Sequence, residues 1–123
     1  MNLSSLDASR GINFILDETI PNEGYRMEVA PETIDIASSG AAGAFYALQT
    51  LFQLLPTEVY AQERQKGIKW NVPCCNIEDK PRFKYRGMHV DPCRHFMPLE
   101  HIRKQVDWMS KFKFNTLHFH LSH

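Results

Sequence analysis

Alternating apolar and polar positions dominate the first part of the chain. Residues 25–29 and 33–37 alternate one by one, and the segment 12–16 before them is apolar. Alternation bounded by turn residues is typical of strands with one solvated face, so we predict three strands of a mostly antiparallel meander. Residues 68–72 alternate in the same way and predict another strand, which runs into an extended, proline-punctuated stretch at 73–81.

Between these strands the pattern takes on a helical period. Phe45, Leu48, Phe52 and Leu55 recur at spacings of three, four and three, and Pro56 follows them. The spacing predicts an amphipathic helix from residue 41 that ends at Pro56, because proline cannot continue a helix. We expect its apolar stripe to pack on the sheet. A groove for a partner is the less favoured alternative.

Beyond residue 81 the pattern predicts a strand, a helix and a second strand. Residues 85–90 and 116–122 have strand character, and Pro98 suits the first turn of a helix. Four apolar residues form the stripe of that helix: Leu99, Ile102, Val106 and Met109. Such a unit with short joins should be a right-handed parallel crossover. Parallel strands do not stand alone, so we expect more strands in a longer protein, with a domain boundary near residues 79–81.

Composition and charge narrow the class of protein. Hydrophobic residues make up 43% and charged residues 23%, which is ordinary for a globular protein. The chain has 14 basic and 14 acidic residues, so it carries no net charge that would favour binding to nucleic acid or to an anionic membrane. No apolar run approaches the about 20 residues of a membrane span. The N-terminus lacks the basic region and apolar core of a secretory signal, and the compartment stays open.

The cysteines are expected to be free thiols. Cys74, Cys75 and Cys93 are odd in number, and two of them are adjacent. Neither a disulfide framework nor a zinc site has that spacing.

Charged residues follow the first strand of the strand–helix–strand unit. Asp91, Arg94 and His95 come directly after residues 85–90. The carboxyl ends of strands carry the active site in barrels and in doubly wound sheets. The planar guanidinium of Arg94 could bind vicinal sugar hydroxyls, a carboxylate or a phosphate. The alternative is that Arg94 pairs with Asp91 and only ties down the loop.

Two histidines share one face of the second strand. His118 and His120 could ligate a metal in a metal-dependent TIM-barrel hydrolase. That interpretation needs a third ligand, and none stands at a recognisable spacing. We therefore favour satisfied interior histidines and expect no metal site. His89 is a single histidine within a strand and carries no argument by itself.

Two separated motifs resemble a known family. Residues 81–98, PRFKYRGMHVDPCRHFMP, and residues 113–122, KFNTLHFHLS, are similar to family 20 glycoside hydrolases, the β-N-acetylhexosaminidases. Residues 24–29 and 43–56 resemble the small domain that precedes the barrel in that family. The resemblance implies an α/β fold: an accessory α+β domain over residues 1–80, clipped at its N-terminus, with a small antiparallel sheet packed by a helix. Residues 81–123 would be the first strand, helix and second strand of a truncated (β/α)8 TIM barrel.

The resemblance also implies a reaction. The family removes terminal β-linked N-acetylglucosamine or N-acetylgalactosamine from glycans or chitooligosaccharides with retention, without a cofactor. The acetamido group of the substrate is the nucleophile, and an Asp-Glu pair near the fourth barrel strand assists it. That strand is absent here, so we expect an N-terminal fragment that is inactive alone. The family often works outside the cytoplasm, which would make the parent periplasmic or secreted.

Few site residues carry over from the family. Arg94 matches the arginine that binds hydroxyls of the terminal sugar. Asp91, His95, His118 and His120 match the two motifs in supporting roles, and no catalytic residue is expected. The alternative function is that of a non-catalytic interaction module, which binds another chain and performs no reaction. In either case the unpaired strand edges predict self-association.

Overall fold

The computed structural model describes residues 10–122 and confirms the α/β class. The N-terminal segment, predicted to lack a secretory signal, and His123 lie outside the described residues. The chain divides into two compact units, residues 1–81 and 82–123. No helix in the described part is both long enough and apolar enough to cross a bilayer. The elements in order are β1 (Gly11–Leu16), β2 (Tyr25–Val29), β3 (Thr33–Ser38), α1 (Ala41–Leu54), a 3₁₀ turn (Thr57–Tyr60), β4 (Cys75–Asp79), β5 (Gly87–Val90), α2 (Leu99–Lys111) and β6 (Thr116–Phe119).

The sheet of the first unit has the order β1-β3-β2-β4, so the predicted order of a meander is wrong. β2 lies antiparallel to both β3 and β4, whereas β1 runs parallel to β3. The link from β2 to β3 is tight, with the Ala30 amide donating to the Thr33 carbonyl at 2.9 Å. Because β3 and β4 occupy both edges of β2, β1 cannot pair with β2, and it lies on the outer edge of β3.

The last strand of this sheet begins later than the alternation predicts. Residues 68–72 form no strand, and Trp70 is 49% exposed. β4 instead pairs with β2, with Cys75 opposite Val29 and Asp79 opposite Tyr25. The alternation of residues 68–72 therefore marks no strand, and Val72 is the residue of this segment that packs against the core.

The buried face of α1 is not the predicted Phe and Leu stripe. Phe45 and Phe52 are 42% and 37% exposed. Of the predicted stripe, Leu48 packs partly buried against the core, and the fully buried positions are Gly43, Tyr46, Ala47, Gln49 and Leu51. Gly43 lets the helix approach the strand, because a Cβ there would overlap the carbonyl oxygen of Gly24. Close backbone approach, and not side-chain size, thus selects the face.

Two tyrosines join this helix to the sheet through their hydroxyls. The hydroxyl of Tyr25 lies 2.6 Å from the hydroxyl of Thr50 and donates to Asp79 at 3.1 Å. The hydroxyl of Tyr46 donates to Glu23 at 3.1 Å. Both rings are buried in the core of the unit. The arrangement lets large aromatic rings fill the core while their polar ends remain bonded.

The second unit is the predicted strand–helix–strand unit. β5 and β6 are parallel, with His89 opposite His118, and both strands are shorter than predicted. The predicted apolar stripe of α2 is only partly buried within the described residues. Met109 is buried, but Leu99 and Val106 are 60% and 44% exposed.

Arg86 and Asn115 fasten the N-terminal ends of β5 and β6. The Asn115 side chain accepts from the Arg86 amide at 3.0 Å and donates to the Lys84 carbonyl at 2.7 Å. The Asn115 amide donates to the Arg86 carbonyl at 2.9 Å, and Arg86 Nε donates to the Lys113 carbonyl at 2.7 Å. One amide side chain therefore bridges the approaches to both strands.

We expect Asn115→Ala to destabilise the second unit by about 1–2 kcal/mol, because it removes an acceptor and a donor that both bond to the backbone. The fluorescence of Trp108 in a Trp70→Phe background would report urea unfolding of this unit alone. Asn22→Ala, at an exposed position of the first unit, is the control. Equal midpoints for the two variants would contradict the bridging role of Asn115.

Candidate functional site

β5 and β6 end side by side. Val90 and Phe119 form their last residue pair. The next residue, His120, donates its amide to the Val90 carbonyl at 2.9 Å, and the thiol of Cys93 lies 3.6 Å from the His120 carbonyl. The loop that follows β5 and the residue that follows β6 are thus joined at the carboxyl edge of the parallel pair.

Asp91 organises the loop that follows β5. Its Oδ1 accepts from the amides of Cys93 and Arg94 at 3.1 and 3.2 Å. An aspartate that bonds amides two and three residues ahead closes a local turn. The loop is therefore held by its own first residue.

The carboxyl of Asp91 has a lowered pKa. Desolvation is the largest single influence and would raise the pKa. The amides of Arg94 and Cys93, with the charges of His120 and Arg94, together outweigh it. These donors bond to the ionised form and stabilise it. Asp91 is consequently a carboxylate at neutral pH, which is the form that holds the loop.

Arg94 does pair with Asp91, as the loop-tying alternative requires, but the pair is weak. Its Nε lies 3.4 Å from Asp91 Oδ2, and its side chain is 75% exposed. Exposed ion pairs contribute about 0–1 kcal/mol, less than two amide bonds to a carboxylate. Because the amide bonds already close the turn, the guanidinium is not required to hold the loop. It remains accessible at the edge of the sheet.

The histidines of the two motifs differ in placement. His95 follows Arg94 in the loop and is exposed. His118 and His120 lie together with His89, a histidine to which the sequence alone assigned no role. The rings of His89 and His118 stack at 4.6 Å with an interplanar angle of 14°, and the ring of His120 meets that of His89 edge-on at 5.9 Å. The sequence held a signal for His89. Two strands predicted to pair in parallel each carry a histidine, and paired residues of neighbouring strands lie side by side.

The edge of the sheet therefore presents three kinds of polar group. The guanidinium of Arg94 offers a fork of donors, the carboxylate of Asp91 supports the loop, and imidazoles cluster on one strand face. A fork of donors suits two neighbouring oxygen acceptors, such as vicinal hydroxyls. The arrangement can hold an oxygen-rich ligand at the end of the strands.

Two family models together match nearly the whole chain. The model described as glycosyl hydrolase family 20, domain 2, matches residues 2–80. The model described as glycosyl hydrolase family 20, catalytic domain, matches residues 83–123.

Individual relatives cover most of this chain. A beta-hexosaminidase of Porphyromonas gingivalis is 41% identical over 109 residues, which are 87% of this chain and 14% of the relative. One of Akkermansia muciniphila is 37% identical over 119 residues, which are 94% of this chain and 23% of the relative. A solved mutant Streptomyces plicatus beta-hexosaminidase in complex with product (GlcNAc) superposes with a TM-score of 0.85 at 35% identity. That superposition covers 96% of this chain and 24% of the solved one, so the chain spans less than a quarter of these relatives.

Proposed function

The chain belongs to glycosyl hydrolase family 20, and on that premise we propose that it is part of a β-N-acetylhexosaminidase. The substrate is a terminal β-linked N-acetylglucosamine or N-acetylgalactosamine of a glycan or chitooligosaccharide. Residues 1–80 form the accessory domain, and residues 81–123 contribute the first strand, helix and second strand of the (β/α)8 barrel. The names of the relatives and the GlcNAc product in one solved relative support the assignment.

One observation carries the proposal: Arg94 is exposed on the loop after β5, and hydrogen bonds that do not involve its side chain close that loop. Asp91 closes the turn through backbone amides, so the Arg94 guanidinium can serve a ligand. Its fork of donors matches two neighbouring hydroxyls of a pyranose ring. Arg94 is therefore assigned to binding of the terminal sugar. Asp91 positions the loop, and His95, His118 and His120 are supporting residues at the same edge.

The reaction proceeds with retention and with help from the substrate. The acetamido oxygen attacks the anomeric carbon while the bond to the leaving oxygen breaks, and an acid protonates that oxygen. Water then attacks the anomeric carbon of the cyclic intermediate from the face that the leaving group has vacated. A base takes a proton from that water, and the bond to the acetamido oxygen breaks, so the β configuration is retained. In the family an Asp-Glu pair orients the acetamido group and exchanges the protons. Residues 82–122 contribute sugar binding to this scheme.

The chain contains one Asp-Glu dipeptide, Asp17-Glu18, but the contacts of Asp17 do not suit that role. Asp17 accepts from the hydroxyl and amide of Thr19 and is paired with Arg26. These contacts hold the connection after β1 in the first unit. Asp17 is thus committed to local structure, and neither residue is assigned to the chemistry.

We expect the 123-residue polypeptide alone to leave an aryl N-acetyl-β-glucosaminide intact, because sugar binding without an acid and a positioned acetamido group gives no turnover. The full-length protein that contains these residues should hydrolyse the same compound. Release of the aryl alcohol by each preparation is the measurement. Turnover by the polypeptide that survives removal of contaminating enzyme would refute its inactivity. An inactive, folded full-length protein would refute the function.

We also propose that the isolated polypeptide self-associates. Within the described residues β5 and β6 form a two-stranded sheet, and Leu99, Val106 and Phe112 are 60%, 44% and 63% exposed. Open strand edges and exposed apolar side chains favour pairing with another copy. Sedimentation should show a mass that rises with concentration, and less so for the double variant Leu99→Glu, Val106→Glu. A monomer at every concentration would exclude self-association.

A further inference from the structure

We propose that His89, His118 and His120 form a binding site for a divalent transition metal ion such as Zn²⁺. This inference does not rest on the proposed function. The three imidazoles each offer one nitrogen, and these nitrogens lie within 4.8 Å of one another. His89 supplies the third ligand, which the sequence alone did not provide for His118 and His120.

The backbone holds the three positions together. His89 and His118 are paired residues of the parallel ladder. His120 lies two residues beyond His118, and its amide bonds to the Val90 carbonyl at 2.9 Å. Side chains two apart on a strand share a face, so the register of one ladder places all three imidazoles on that face. No rearrangement of the chain is needed to bring the ligands together.

Rotation of the rings would complete the coordination. Zinc–nitrogen bonds of about 2.0–2.1 Å require ligand nitrogens roughly 3.4 Å apart, closer than the 4.8 Å limit of the cluster. The stacked pair must also tilt so that both nitrogens point at one ion. His89 and His118 are exposed, and the second side-chain torsion of histidine is broad, so both rings can turn.

The chemistry of the ligands selects the class of ion. Imidazole nitrogens suit zinc, copper and nickel, whereas magnesium and calcium prefer oxygen ligands. Three histidines bind zinc in a tetrahedral site whose fourth position is left for water. A metal held in this way cross-links β5 to β6. It should therefore stabilise the second unit.

Calorimetric titration of the metal-free 123-residue chain with Zn²⁺ tests the proposal. We expect one ion per chain, and we expect His89→Ala, His118→Ala and His120→Ala each to weaken binding by at least roughly tenfold. The matched control is His101→Ala, which removes an exposed histidine of α2 and should leave the affinity unchanged. Cys93→Ser should also leave it unchanged, because the thiol does not belong to the cluster.

A second measurement does not depend on whether the variants fold. In the wild-type chain, Zn²⁺ should shift the ring proton resonances of three histidines together, and the unfolding midpoint of the second unit should rise with zinc concentration. Mg²⁺ at equal concentration should do neither. The proposal is overturned if zinc does not bind the wild-type chain, or if His101→Ala weakens binding as much as the cluster variants do.

Discussion

Replacing Arg94 by methionine in the full-length protein should lower kcat/KM for an aryl N-acetyl-β-glucosaminide roughly 100-fold or more. Methionine keeps much of the side-chain volume but removes every donor of the fork. Hydrogen bonds from a charged donor are worth about 1.5–3 kcal/mol each, and the loss of two corresponds to at least ~3 kcal/mol. Each ~1.4 kcal/mol is a factor of ten in rate.

The structure predicts that this loss is not caused by unfolding. The guanidinium contributes one long contact to Asp91 and is 75% exposed, while amide bonds to Asp91 close the loop. The unfolding midpoint of the methionine variant should therefore match that of the wild type. Arg94→Lys should recover only part of the activity, because an ammonium is a point charge without the fork.

Arg103→Met is the matched control for Arg94→Met. Arg103 lies on α2, is exposed, and is the same residue type nine positions along the chain. Its replacement should leave kcat/KM unchanged. If Arg94→Met retains full activity, or if both arginine variants lose it equally, Arg94 does not bind the sugar.

Gly43→Ala should destabilise the first unit by roughly 2–3 kcal/mol. Alanine normally favours a helix over glycine by ~1 kcal/mol, so the expected sign is opposite to the helix propensity. A Cβ at Gly43 would overlap the carbonyl oxygen of Gly24 and lie 2.9 Å from the Cβ of Ser38. The Gly24 oxygen is a backbone atom directly before β2, and the Cβ of Ser38 is fixed to the backbone of β3, so α1 must move away from its packed face.

Gly40→Ala is the control for this prediction. A Cβ at Gly40, directly before α1, would meet nothing within 4 Å, and the φ of 176° is extended backbone that any residue adopts. Gly40 is the N-cap of α1, where alanine is less favoured than glycine, so its replacement should cost at most about 1 kcal/mol, clearly less than the change at Gly43. Urea unfolding followed by the fluorescence of Trp70, in a Trp108→Phe background, measures both variants. Equal stability of the two variants would show that α1 does not need the close approach.

Local patterns predicted those parts of the fold that depend on near neighbours in the chain. The alternation of residues 25–29 predicted β2, and Pro56 marked the end of α1. Apolar spacing after Pro98 predicted α2, which is Leu99–Lys111. Each of these signals lies within a single element, where a period of two or of 3.6 residues reports which backbone conformation can bury one face.

The candidate site was predictable only in part. Arg94 and Asp91 were found because they directly follow a strand, a position that sequence alone reveals. The bonding of Asp91 to two amides, which separates its role from that of Arg94, required the geometry of the loop. The assignment of Arg94 to the sugar stays a prediction. The cluster of three histidines depended on a ladder register between residues 29 positions apart.

The sequence by itself determined the family, through two motifs, and the strand–helix–strand order of the second unit. Tertiary structure alone decided which edge of the sheet β1 occupies, which face of α1 is buried, and that His89 joins His118 and His120. The physical reason is that periodicity describes one element and its amphipathic faces. The choice of neighbour depends on fit between distant segments, such as the approach of Gly43 to Gly24, which no local pattern contains.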